Sequence, residues 1–303
     1  MRAAYSIPNV RLPEHEVAQS RSEHLARVQA RWGEYLAKRA AGFKHPVWDF
    51  LFTYYSFRPS KLLEWNPGWG VALEEKCASW NVTSSAEGWH WLDETRWPEA
   101  RRESATWILR LLEATASRPA QFSCFGLHEW AMVYRLPEHR HSEVPLRLSG
   151  QRVAELVQSR PLCCTHFDAF RFFSESARPL NARQLSSEDR LNLDQPGCVH
   201  VSMDLYKWAT KLWPWISADR VWECFELASE ARLLDMQASP YDLSAFGFTP
   251  IKIEDEAGRH EYEQRQRALR QQAAPIRNRL VGDMTRLIQA AHAGSSPRAA
   301  CLA

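Results

Sequence analysis

The stretch that decides the reading of this chain opens as CCTHFDAFRFF (Cys163–Phe173) and closes as QPGCVHVSMDLYKW (Gln195–Trp208). Asp168 and Arg171 are three apart, which suits a helical turn starting near Phe167. His200 and Asp204 are four apart and share one face of a helix. His166 and Asp168, two apart, point to one side wherever the backbone is extended. Acids, imidazoles and a guanidinium are interleaved with aromatic rings more densely than a plain core or a solvated surface requires. Such a mixture predicts a pocket for something flat and partly polar.

Outward from this stretch the helical period dominates. Leu25, Val28, Trp32 and Leu36 mark one face of an amphipathic helix over about Glu14–Ala41, ended by Gly42. His45–Pro59 is aromatic on nearly every side, so it reads as a buried helix, with Pro46 in its first turn and Pro59 as its stop. Pro98–Ser117 is a further helix, with Ile108, Leu111, Leu112 and Thr115 inward. Arg152–Gln158 is one or two turns. Ser217 caps a helix over about Ala218–Met236, with Val221, Cys224, Phe225, Ala228 and Leu234 inward and Glu223, Glu226, Glu230 and Arg232 outward. A charged helix spans about His260–Ala273, Pro275 interrupts it, and a last helix runs to about His292. Leu62–Trp97, broken by Asn66-Pro67-Gly68-Trp69-Gly70, reads as loop with short pieces of structure. Strand character is confined to Pro145–Leu148, within a fragment expected between Arg135 and Phe173, and to Ile251–Ile253. The expected fold is mainly α: a single helical domain over 1–292, its helix within 1–41 packed on the body, at most a small β-hairpin or sheet fragment, and a disordered tail over 293–303.

Composition bounds the function. With 45% hydrophobic and 24% charged residues the 303-residue chain is of ordinary globular type, but 14 Trp, 13 Phe and 8 Tyr supply more rings than usual for stacking. The formal charge of +2 neither demands nor excludes a nucleic-acid partner. No apolar run reaches membrane-span length and the start lacks a signal-peptide core. Seven Cys without a C-x-x-C pair argue against a disulfide scaffold or a zinc ribbon and fit a reducing cytoplasm.

The polar residues admit three uses. A carboxylate among aromatics suits N-glycosidic bond cleavage, whose transition state resembles an oxocarbenium ion. A base taken out of a duplex then needs a deep stacking pocket, and a positively charged alkylated base gains further from cation–π contact. The second use is a metal site in a helical small-molecule enzyme, built from His128, His166 and His200 with Asp168 or another carboxylate. The third is a non-catalytic binding protein, in which the same groups satisfy one another: Asp168 with Arg171, Asp204 with Lys207, and Glu129 with an arginine.

HPVWDFLFTYYSFRPSKL (His45–Leu62), FGLHEWAMVYR (Phe125–Arg135), CTHFDAFRFF (Cys164–Phe173), QPGCVHVSMDLYKW and ECFELASEARLLDMQASPYDL (Glu223–Leu243) resemble a bacterial family commonly labelled 3-methyladenine DNA glycosylase. The resemblance covers about Lys44–Leu280. It implies a DNA-repair hydrolase that excises alkylated purines such as 3-methyladenine from double-stranded DNA, with no cofactor. On this reading Asp168 is the first candidate for the carboxylate that activates water or stabilises the cation, Glu129 the second and Asp204 the third. His166 and His200 orient that carboxylate or hold the base. Trp130, Tyr134, Phe170, Tyr206 and Trp208 form the stacking walls, and Arg171 keeps Asp168 ionised. Arg58, Lys61, Arg96, Arg101, Arg102, Arg135, Arg140 and Arg147 are the candidate phosphate contacts.

Overall fold

A computed structural model of the protein describes residues 7–75, 82–137 and 143–295. The long helices lie where the apolar period placed them. The first, α1 (Glu14–Ala40), carries Glu14 and Glu16 in its first turn and Lys38 and Arg39 in its last, as the helix dipole favours. Its inward stripe is Val17, His24, Val28 and Trp32. Leu25, read as inward, is exposed, and His24 takes its place with Nε2 2.9 Å from the Leu62 carbonyl. Trp32 Nε1 donates to Glu226 at 2.8 Å and fixes α1 against the later core.

His45–Pro59 does not form one buried helix. Only α2 (Asp49–Thr53) is helical; Ser56 then adopts a positive φ of 53°, and α3 (Pro59–Leu63) starts at the proline. Asp49 explains the short start. Its carboxylate accepts from the His45 backbone N–H at 3.0 Å, Tyr35 Oη at 2.7 Å and Arg39 Nη1 at 2.5 Å.

The sheet fragment lies elsewhere than Arg135–Phe173. It has four short strands: β1 (Val10–Leu12), β2 (Val71–Leu73), β3 (Thr83–Ser84) and β4 (His90–Trp91), in the order β1-β2-β4-β3. β1 and β2 are parallel with Val10 opposite Val71; the other pairs are antiparallel. Val17, Trp65, Leu73, Leu92 and Ala218 form a small core beneath it. Pro145–Leu148 contributes one isolated bridge, Leu146 to Tyr241, and Ile251–Ile253 forms no strand.

The remaining helices are α4 (Glu99–Ala116), α5 (Leu127–Val133), α6 (Gly150–Gln158), α7 (Phe167–Phe170), α8 (Arg190–Leu193), α9 (Val199–Lys211), α10 (Ala218–Gln237) and α11 (Glu256–Ser295). α9 and α10 pack on each other at the centre, and α11 lies across α4, α9 and α10. Ser217 caps α10 by accepting from the Arg220 N–H. α10 is buried on most sides, as a central helix must be. Arg232, read as outward, is among its buried residues. α11 is continuous through Pro275. A proline there removes one hydrogen bond, but the inward stripe Leu269, Ala273, Leu280, Met284 and Leu287 continues across it and packing outweighs the loss. The helix extends to Ser295, past the start of the expected tail; residues 296–303 lie outside the described residues.

Candidate functional site

One cavity of about 840 Å³ opens among α2, α5, α7, α9 and α10. Its walls include Phe50, Tyr54, Tyr55, Phe172 and Phe173, and its floor carries Glu129, His166, Asp168, His200, Asp204 and Arg232. A volume of this size suits a small organic ligand. Its exposed lining residues are Lys44, Thr53, Leu136, Glu143, Glu175 and Ser176.

Local backbone sets the floor. α5 is entered through Phe125 at φ 47° and Gly126 at φ 73°, and left through Arg135 at φ 53°. Such positions cost about 1–3 kcal/mol each for non-glycine residues and are held only where the surroundings over-determine them. Here they fix the short helix that carries His128 and Glu129. α9 is aimed by Gln195-Pro196-Gly197. Gln195 Oε1 accepts from the N–H groups of Gln121 and Gly197 at 2.8 and 2.7 Å, and a Cβ on Gly197 would lie 2.4 Å from the Gln121 carbonyl. Only glycine allows this approach, which places His200 two residues into the following helix.

Two ion networks meet at the floor. In the first, Arg190 Nη2 lies 2.6 Å from Asp204 and 2.9 Å from Asp194, and its Nη1 lies 3.1 Å from Asp168. Lys207 Nζ lies 2.5 Å from Asp168 and 3.9 Å from Asp204. His166 Nδ1 lies 3.0 Å from Asp194, and its Nε2 lies 3.6 Å from Asp204. Burial works against the Asp168 carboxylate, but Lys207 outweighs it with help from His166 and Arg190, so the group titrates at about 2. Asp194 is likewise lowered: burial opposes, and His166 and Arg190 prevail.

In the second network, Arg232 Nη1 lies 3.1 Å from Glu129 Oε1 and 3.2 Å from Asp235 Oδ2. His128 Nε2 lies 2.5 Å from Asp235 Oδ1, and His200 Nε2 lies 3.8 Å from Oδ2. Burial opposes charge on His128, but Asp235 outweighs it and the imidazole is held well above its ordinary value. His200 is held well below by burial and by His128, so it is a neutral ring. Glu129 shares its cation with Asp235; burial and that second carboxylate raise it. The His166 and His200 rings stack at 5.6 Å, joining the two networks.

The structure thus brings Asp168, Glu129, Asp204, His166 and His200 to one cavity floor. The four-residue metal set is not met as read: His128 and His200 group with Asp235, and His166 and Asp168 group with Asp204. None of the residues assigned to the stacking walls lines the cavity. Trp130 is fully buried with Nε1 donating to the Ala238 carbonyl; Tyr134, Phe170 and Trp208 are core; Tyr206 packs between Tyr55 and Phe225. Each is turned into the core, and the wall is supplied by the α2 segment and Phe172 instead. Arg171 is half-exposed and lies 3.5 Å from Asp168, farther than Lys207 and Arg190, so it is a lesser partner. Its guanidinium sits over Phe172 and Tyr54 instead.

Of the candidate phosphate contacts, Lys61 pairs with Glu64 and Arg147 with Glu254. Arg140 lies outside the described residues, and none of the others lines the cavity. Sequence reasoning missed Arg190, Asp194 and Asp235, and placed Arg232 on the wrong face. The signal for the last two was present: Val221, Phe225, Ala228, Arg232 and Asp235 follow one helical stripe. No protein-family model, curated protein or solved structure matches the chain.

Proposed function

We propose that the chain hydrolyses an N-glycosidic bond, releasing an alkylated purine seated between the rings of the cavity. The observation that carries this reading is the ionised Asp168 on the floor of an aromatic-walled cavity. A flat base gains about 1–3 kcal/mol per stacking ring. A base made cationic by alkylation gains further from ring faces of the cavity wall.

With its carboxyl titrating at about 2, Asp168 is a poor proton acceptor and a permanent negative charge. Its role is therefore electrostatic: it stabilises the oxocarbenium character that develops as the glycosidic bond breaks. Lys207 and Arg190 hold it in place. Glu129 is the second carboxyl facing the same space, and Asp204, bound closely by Arg190, orients the cation that holds Asp168.

Extraction of the base from double-stranded DNA requires a phosphate-binding rim. Arg171 and Arg178 support it: both are exposed, Arg171 sits over Phe172 of the aromatic wall, and Arg178 Nη2 donates to the Arg171 carbonyl at 3.0 Å. Glu143 and Glu175 at the mouth weigh towards a free nucleoside. The test offers folded protein duplex DNA carrying methylated purines and, separately, 7-methylguanosine. Release of methylated base by wild type and its loss in Asp168→Asn is the expected result. No release from either substrate would sink the proposal.

A further inference from the structure

Behind the aromatic cavity three donors from α5, α9 and α10 converge. Nε2 of His128 and Nε2 of His200 face the two oxygens of the Asp235 carboxylate at 2.5 and 3.8 Å. One donor atom from each of the three residues lies within 4.8 Å of the other two. The two imidazoles meet at 74° with centroids 4.4 Å apart. Around a tetrahedral zinc ion with ligand bonds of about 2.0–2.1 Å, donor atoms stand about 3.3 Å apart. The His128 separation is shorter than that value and the His200 separation, to the other carboxylate oxygen, is longer, so an ion would draw His128 and Asp235 apart as it entered.

Three further observations favour an ion here. Nε2 of His200 lies 3.8 Å from Asp235 Oδ2, too far for a hydrogen bond, so this nitrogen is available to a ligand. The outer contacts of the other ligands are already those of a ligand shell. Cys124 Sγ lies 3.3 Å from His128 Nδ1, and Arg232 Nη1 lies 3.2 Å from Asp235 Oδ2. The neighbouring set supplies the contrast. His166, Asp168 and Asp204 satisfy the same spacing, but Lys207 and Arg190 each contact both carboxylates and fill the place of a cation. At Asp235 one guanidinium is present, shared with Glu129, and the other positive partner is His128, whose proton a bound ion would replace.

We propose that His128, His200 and Asp235 hold one divalent transition-metal ion, of zinc type, with His200 as the ligand that also lines the aromatic cavity. Two imidazoles and one carboxylate are a donor set for zinc and its first-row neighbours rather than for magnesium or calcium. The assignment goes beyond N-glycosidic hydrolysis and does not depend on it. Any substrate in the cavity lies next to His200, where an ion of this kind polarises an oxygen or lowers the pKa of a bound water.

The full-length protein is purified without chelator and its metal content measured by mass spectrometry. A stripped sample is then titrated with Zn²⁺, and with Co²⁺ to read the d–d absorption of a tetrahedral site. The expected result is one ion per chain in wild type and in His166→Gln. In His200→Ala, at an unchanged circular-dichroism spectrum, binding is weaker by at least about 10–100-fold, since loss of a direct ligand exceeds the loss of an outer contact. Folded wild-type protein that binds no ion at micromolar Zn²⁺ overturns the assignment. So does His200→Ala binding as tightly as wild type. If His200→Ala does not fold, the wild-type titration and its Co²⁺ spectrum decide alone.

Discussion

Lys207 Nζ lies 2.5 Å from Asp168 Oδ2, although 39 positions separate them in the chain. The contact ties the turn at α7 to α9 and sets the charge on the cavity floor. Asp168→Asn keeps the shape but removes that charge. On the proposed mechanism it lowers turnover by about 10²–10³-fold, the loss typical of one electrostatic stabiliser. Undiminished base release by the variant would falsify the role assigned to Asp168.

The same pair makes stability depend on acid. Asp168 titrates at about 2 in the folded protein against 3.8 for the free group. A depressed carboxyl contributes stability that is fully present above about pH 4 and is lost as pH falls through about 2. After allowance for solvent screening the contribution is about 1–2 kcal/mol. Urea unfolding of wild type and Asp168→Asn, compared at neutral pH and again near the folded pKa, measures it. The difference between the two proteins shrinks in acid; a difference that grows there contradicts the linkage.

Arg232 and Glu129 separate a buried pair from its parts. Arg232→Leu leaves Glu129 and Asp235 facing each other without their shared cation, and costs about 3–5 kcal/mol. Glu129→Gln keeps an oxygen for Arg232 and relieves the repulsion with Asp235, so it costs less than about 1.5 kcal/mol. Equilibrium denaturation of the two variants checks the order. Equal losses would mean that Glu129 is ionised and fully paired.

The aromatic residues divide by position. Tyr54 and Phe172 line the cavity, and truncation of either to alanine weakens binding of a flat ligand by about 1–3 kcal/mol with little loss of stability. Trp130 is fully buried, and Trp130→Ala costs about 3–5 kcal/mol of stability. Ligand titration and thermal unfolding of all three variants give opposite orders if this assignment is right.

That division marks what the sequence could show. Long elements were legible because many residues vote: α1, α4 and α10 follow from apolar stripes and from Ser217 as a cap. The polar members of the floor were legible too, since Asp168, His166, His200, Asp204 and Glu129 stand out within apolar runs. Their partners were not. Arg190 reaches Asp168, Asp194 and Asp204 from a four-residue helix with no period of its own. Which aromatic rings face the cavity depends on whether His45–Pro59 is one helix or two, and Asp49 decided that through contacts with Tyr35 and Arg39. Pro275 misled for the opposite reason: a local rule gave way to a stripe that packs on both sides of it.

Arg277 is the exception within that stripe. It sits between Ala273 and Leu280 on the inward face of α11 and is almost fully buried, yet its Nε and Nη2 have no hydrogen-bond partner among the described residues. Burial pulls its guanidinium down to about 10, and the nearby charge of Arg270 adds to the effect. A buried cation without a counter-ion is a net cost, and even a paired one is often replaced by an apolar residue with a gain of about 1–4 kcal/mol. Arg277→Met keeps the length of the side chain and removes the charge, so the urea midpoint rises by a corresponding amount at unchanged slope. A fall in the midpoint would show that the guanidinium serves an anion, which would then be sought along α11.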